Sequence, residues 1–253
     1  MVNASALALV FVALVSGPHG LARAAVIQVP EDHATIQSAI DAAAPGDEIL
    51  VAPGSYAETI DFKGKAIALR SIGGPEVTTI DGSGLNQSVV RCVSGELSDT
   101  VLQGFTITGG SATFGGGMRN EDSSPTVLDC IFKENSATDR GGGMYNKLAN
   151  PSIDGCVFLE NFATTMGGGM YNHRSSPTIT RSEFRMNSSN KGAGMRNYID
   201  AHPIVTDCIF IRNTASEEGG GMDNRKNSNP IVTRCVFGEK MPPAPAAAEC
   251  TTT

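Results

Sequence analysis

The sequence predicts an all-β fold wound as a right-handed parallel β-helix, and three observations carry the prediction. The first is a period. Gly-Gly-Gly-Met stands at Gly115–Met118, Gly141–Met144, Gly167–Met170 and Gly219–Met222, with Gly-Ala-Gly-Met at Gly192–Met195. Pro125, Pro151, Pro177, Pro203 and Pro230 advance in steps of 26, 26, 26 and 27, and so do Phe132, Phe158, Phe184, Phe210 and Phe237. Three residue types keeping one step mark a stacked repeat. The second is what interrupts the chain: Gly triplets, a Pro and several Asn break every helical window, which excludes two-helix units. The third is alternation. Met118 and Asn120 share a face by period two, and Val127, Cys130 and Phe132 fall near one face with a bend after Val127. Two or three short strands, joined by Gly and Asn turns, then close one coil. Coils stack about 4.8 Å apart, and parallel crossovers are right-handed.

The elements follow in chain order. Residues 1–24 read as a signal peptide: an apolar run from Ala6 to Val15, the breakers Gly17 and Pro18, then Ala22-Arg23-Ala24 in the small-x-small pattern. The stretch before the run, Met1 to Ser5, lacks the usual Lys or Arg. Residues 25–47 read as an N-terminal cap. Ile36, Ala39, Ile40 and Ala43 recur at helical spacing within Thr35–Ala44, and Pro45-Gly46 stops the helix. A stack of strands exposes its interior and its edges at each end, so such a lid is needed. Residues 48–240 read as the β-helix, roughly seven coils at this period. Its early coils are irregular, with strand-like runs at Ile49–Val51, Ala66–Leu69, Val77–Ile80, Val89–Val93 and Val101–Ile107. Residues 241–253, rich in Pro and Ala, read as a disordered tail. No C-terminal capping helix is visible, so the last coil is expected to pair with something or to belong to a longer type of chain.

Stacking explains the residue choices. A Met row and a Phe row fill the interior, each buried side chain contributing on the order of 1.5–3 kcal/mol. Asn135, Asn161, Asn187 and Asn213 form one row, and Asn120, Asn146, Asn172, Asn197 and Asn224 another; both can hydrogen-bond along the stack. Gly supplies the positive φ of tight corners. Cys130, Cys156, Cys208 and Cys235 are equivalent positions, with Ser182 replacing the third member. They read as a buried thiol ladder. An exported chain also permits disulfides between neighbouring coils, though side chains pointing the same way would strain them.

Two passages resemble known families. Val29 to Ala43 (VPEDHATIQSAIDAA), with Gly46 to Tyr56 (GDEILVAPGSY), resembles the N-terminal region of the pectin-lyase-like superfamily of right-handed parallel β-helices. That superfamily includes pectin methylesterases and pectate lyases. The pairing of Phe-x-x-Asn with Gly-Gly-Gly-Met resembles the repeats of polymorphic outer-membrane proteins, which are adhesins. Together the resemblances cover about Val26 to Phe237 and imply the fold. They leave two activities open, since one fold hosts unrelated functions.

Composition and spacing narrow those activities. A net charge of −7 argues against nucleic acid, whose phosphates need a basic surface. No apolar run reaches the roughly 18 residues of a membrane span, so the mature chain is expected to lack a transmembrane segment. Enzymes on this fold need clustered carboxylates, or a base beside a metal-bound acid sugar. Here the position before the Cys row reads Asp129, Gly155, Arg181, Asp207, Arg234, with no carboxylate pair. The constant coil length leaves no room for a large cleft-building loop. Asp61, Asp81 and Asp99 lie in the irregular coils, where a cleft is not excluded. His33, His173 and His202 have no matching nucleophile motif. The Gly triplets are not phosphate loops, and no zinc spacing occurs, so neither cofactor nor metal is implied.

One row is chemically suggestive. Between Met and Asn lies a position that alternation turns outward: Arg119, Tyr145, Tyr171, Arg196, Asp223. Two residues on, the next outward row reads Glu121, Lys147, His173, Tyr198, Arg225. Three of the chain's four Tyr lie on this strip. Aromatic faces beside Arg suit sugar stacking and carboxylate pairing. The sequence therefore predicts a ligand-binding strip of Arg119, Tyr145, Tyr171, His173, Arg196 and Tyr198, with Tyr145 and Tyr171 exposed. The leading function is a secreted or cell-surface, non-catalytic β-helix that binds a polysaccharide or cell-surface glycan, as adhesins do. The alternative is a carbohydrate-active enzyme of the pectate lyase or pectin methylesterase type.

Overall fold

The computed structural model describes residues 24–239. The predicted signal peptide, apart from Ala24, and the predicted C-terminal tail lie outside them. Over the described residues the chain is a right-handed parallel β-helix of about eight turns with one short helix. In a regular coil Thr126–Leu128, Ile131–Lys133, Ser136–Arg140 and Met144–Lys147 are strands. Each joins a different parallel sheet, here A, B, D and C. Among the described residues these sheets hold nine, eight, five and seven strands. So the coil has four strands rather than two or three, because Ser136–Arg140 also pairs coil to coil.

The corners explain how 26 residues close. Asp129, Gly155, Arg181, Asp207 and Arg234 have φ of 50°, 65°, 47°, 55° and 51°. All five occupy one left-handed corner between sheets A and B. Glu134, Glu160, Met186 and Arg212 hold the next corner at 55°, 55°, 51° and 53°. Non-glycine residues enter this region rarely. Here the corner N–H groups of Asp129, Gly155, Arg181 and Asp207, and those of the second corner, find the next coil's carbonyl, such as Asp129 N to Asp154 O at 2.9 Å.

Inside, the rows form as expected. Phe132, Phe158, Phe184, Phe210 and Phe237 are in register. Their ring centroids lie 4.9, 4.7, 4.6 and 4.7 Å apart, with planes within 6° of parallel. The Met row runs in register from Met118 to Met222. Both Asn rows are hydrogen-bonded ladders. Asn120 donates to Asn146 at 2.8 Å, and the series continues through Asn172 and Asn197 to Asn224. Asn161 donates to Asn187 Oδ1 at 3.0 Å and also to Phe132 O at 2.9 Å. Except for Asn213 and Asn224 in the last coils, these amides are buried, and the ladder is what satisfies them. The preceding coil puts Cys92 opposite Asn120, so Asn120 Oδ1 is left without a donor.

The Gly triplet does more than turn the chain. Gly141 takes φ +68°, as a corner requires. Gly142 and Gly143 are needed for space. A Cβ on Gly142 would collide with the carbonyl of Phe162, and one on Gly143 would lie 2.6 Å from Gly169 O and 2.9 Å from the Phe158 ring. The triplet thus lets neighbouring coils approach backbone to backbone under the Phe row.

The Cys row is a set of free thiols. Cys130, Cys156 and Cys208 are fully buried, and Cys235 is half-buried. Cys130 Sγ lies 3.2 Å from Leu128 O, and burial pushes its pKa up to about 12. Ser182 fits the same position because its hydroxyl donates to Thr180 O at 2.8 Å and accepts from Cys156 N at 3.1 Å.

Helix α1, Ile36–Ala42, covers the N-terminal end with Ile36, Ala39 and Ile40. Thr35 caps it by accepting from Ser38 N at 3.1 Å. Glu58 accepts from Ile36 N and Gln37 N, both at 2.8 Å. Lys65 Nζ donates to the carbonyls of Ile40, Asp41 and Ala43 at 2.7, 2.8 and 2.7 Å. Anion at the start and cation at the end both complement the helix dipole. At the far end the last rung is not covered by any of the described residues. Val232 and Phe237 are 40% and 48% exposed, whereas Val205 and Phe210 one coil earlier are 0% and 1%.

That contrast sets a stability expectation. Phe158→Ala, with rings on both sides, should cost about 3–5 kcal/mol through the cavity it leaves. Phe237→Ala, with one neighbouring ring, should cost clearly less. Denaturant midpoints of the two variants measure this, and equal shifts would count against the stacked row.

Candidate functional site

The outward row of sheet C aligns as the alternation predicts. Its register is Asp61, Arg91, Arg119, Tyr145, Tyr171, Arg196, Asp223. The exposure does not follow. Tyr145, Tyr171 and Arg196 are only 4%, 0% and 3% exposed. Alternation sets which way a side chain points, not what lies over it. The ends of the sheet D strands lie over this row before the chain reverses at the Gly triplet. Phe114 packs at a tilt of 33° against Tyr145 of the next coil, ring centroids 5.0 Å apart. The Arg140 guanidinium sits 5.5 Å over the Tyr171 ring. Tyr145 and Tyr171 stack on each other at 5.6 Å. The middle of the predicted strip is therefore a second, outer core.

That outer core carries polar groups at a cost. Tyr171 hydroxyl has no partner, and burial pushes its pKa up to about 12. Arg196 and Asp223 form a buried ion pair, and burial lowers the pKa of Arg196. Removing one member of such a pair leaves an uncompensated buried charge.

Two parts of the strip reach solvent. The next outward row, Glu121, Lys147, His173, Tyr198 and Arg225, is in register and part-exposed, with Arg225 exposed. His173 and Tyr198 have ring centroids 6.2 Å apart, and Arg196 lies 5.5 Å over the Tyr198 ring. Partial burial, then the cations Arg174, Arg140 and Lys147, lower the pKa of His173, so its ring is neutral at pH 7.

The second part is a cleft. Sheet D begins at Ser111–Phe114 among the described residues. In the coil before, the turn through residues 82–88 takes the place of a covering strand. There a cavity of about 300 Å³ opens beside Arg91 and Arg119, with Asn86, Ser88, Thr113 and Phe114 in its wall. A neighbouring cavity of about 240 Å³ shares Asn86 and Thr113 and extends to Thr138. Arg119 contacts Glu121 at 2.9 Å and Arg91 contacts Asp61 at 3.3 Å. Of the predicted site residues, Arg119 belongs to this cleft, His173 and Tyr198 to the open row, and Tyr145, Tyr171 and Arg196 to the covered core. Arg91 was legible as a missed member: it stands two residues after Val89, where later coils carry the outward row. Among the described residues no cluster of three or more His, Cys, Asp or Glu could hold a metal ion. No helix there is long and apolar enough to cross a membrane.

No family model matches the sequence, and no curated protein matches it. Among solved structures the chain is similar to the pectin methylesterase from Aspergillus niger in penultimately deglycosylated form. The identity is 13%, covering 88% of this chain and 85% of that one, with a TM-score of 0.44. The deglycosylated form of the same enzyme matches at the same identity and coverage with a TM-score of 0.36.

Because the tyrosines are buried, removing one is costly. Tyr171→Ala should cost about 3–5 kcal/mol, as for any large buried ring. A thermal or denaturant melt indistinguishable from wild type would show that the row is open to solvent after all.

Proposed function

We propose that the chain is a non-catalytic β-helix, secreted or held at the cell surface, that binds glycan along the open outward row of sheet C. The observation that carries this reading is the row itself. Lys147, His173, Tyr198 and Arg225 stand at successive rungs about 4.8 Å apart, so two ring faces lie between two cations. Ring faces take the apolar faces of sugars, and cations take their carboxylates or hydroxyls. The buried tyrosines behind the row support it: Tyr171 and His173 stack at 6.4 Å. Uniform coil length also favours a long binding face over a deep reaction centre.

The test is retention on immobilised polysaccharides, with pectin, alginate and neutral glycans compared, with and without calcium. His173→Ala combined with Tyr198→Ser should change folding stability by about 1 kcal/mol or less, since both sites are part-exposed. The same pair should weaken glycan retention by about tenfold or more. The depressed pKa of His173 adds a pH signature. Its ring gains charge only below the ordinary histidine range near 6.5, so retention of acidic glycans should strengthen as pH falls through and below that value. Unchanged retention in the double variant would remove the row as the binding face. Release of unsaturated sugars or methanol during the same screen would instead establish the alternative, a lyase or esterase.

A further inference from the structure

Two arginines sit where stacking makes them least favourable. Arg91 and Arg119 are directly in register on neighbouring coils, and like charges opposite one another on paired strands destabilise the pair. Asp61 and Glu121 each engage one guanidinium nitrogen. Nε of Arg119 is buried and has no acceptor, a costly state for a charged donor. Both residues line the same cavity, whose wall adds neutral hydrogen-bonding groups at Asn86, Ser88 and Thr113, the ring of Phe114 and no carboxylate.

We infer that this cavity is an oxyanion subsite, taking the carboxylate or sulfate ester of a ligand whose ring lies against Phe114. An oxyanion held by both guanidinium groups turns their mutual repulsion into charge-assisted hydrogen bonds. The planar fork of arginine matches the spacing of oxygens in either group. Phe114 is supported from behind by Tyr145, so the covered tyrosines act as backing for the platform. The inference deepens the proposed function and rests on it only for the claim that a glycan carries the oxyanion.

The test uses the full chain with three small probes at fixed ionic strength: sodium sulfate, galacturonate and uncharged galactose. Calorimetric titration should show saturable binding of sulfate, galacturonate or both in the millimolar range, and none of galactose. Binding of galacturonate alone assigns the site to carboxylates, and binding of sulfate alone assigns it to sulfate esters. Arg119→Met and Arg91→Met should each lower that affinity by about tenfold or more, with the circular dichroism spectrum unchanged. Absence of saturable binding by either anion, equal binding of galactose, or unaltered affinity in both variants would overturn the subsite. If the anions bind as expected while no polysaccharide is retained, the subsite stands and the glycan-binding reading fails.

Discussion

Each side chain in this helix is packed above its counterpart one coil away. That single constraint decides which residues each position tolerates. Apolar side chains gain from it, since Phe on Phe or Met on Met fills space at every rung. Buried amides survive because a neighbouring amide supplies the missing partner, as Asn135, Asn161, Asn187 and Asn213 do for one another. A polar residue whose neighbour is of the wrong type is left unsatisfied, as Asn120 is above Cys92. Like charges in register are the opposite case, tolerated only where solvent, a counter-ion or a ligand answers them.

The interior was legible in the sequence for the same reason. A position that must match its own copy repeats visibly, so Phe, Met, Asn and Cys rows announced both the period and the inward face. The bend after Val127 was legible, but the residues that hold the corners were not. The left-handed corner is held by Asp129, Gly155, Arg181, Asp207 and Arg234, residues so unlike that no pattern marks them. What Asp129, Gly155, Arg181 and Asp207 share is a backbone hydrogen bond to the next coil, which no side chain records. The row is a mixed-charge face, with Arg181 on Asp154 and Arg234 on Asp207 bridging successive coils.

The outward strip shows where alternation stops being informative. It placed Tyr145 and Tyr171 on the outer face correctly and in register. It could not show that residues 114 and 140 fold over that face. The signal was present in the Gly triplet, which was readable as a corner but also marks close approach of two chain segments. A reversal that tight brings the preceding strand against the following one. The Tyr row then has to be large, flat and mutually stacking to fill the space between them. The cleft beside Arg91 and Arg119 opens where the covering strand is missing, in the irregular coils whose sequence carries no repeat to read.

If register between identical rungs is the organising constraint, whole coils are interchangeable units and partial coils are not. Deletion of residues 142–167 removes 26 residues and joins Gly141 to Gly168, restoring the Gly-Gly-Gly-Met motif. Phe132 then stacks on Phe184, and Asn135 on Asn187. Circular dichroism with denaturant unfolding measures the outcome. The shortened chain should keep a β spectrum and a single cooperative transition, while a deletion of half that length should not. An unfolded one-coil deletion, or a half-coil deletion that folds equally well, would contradict the account.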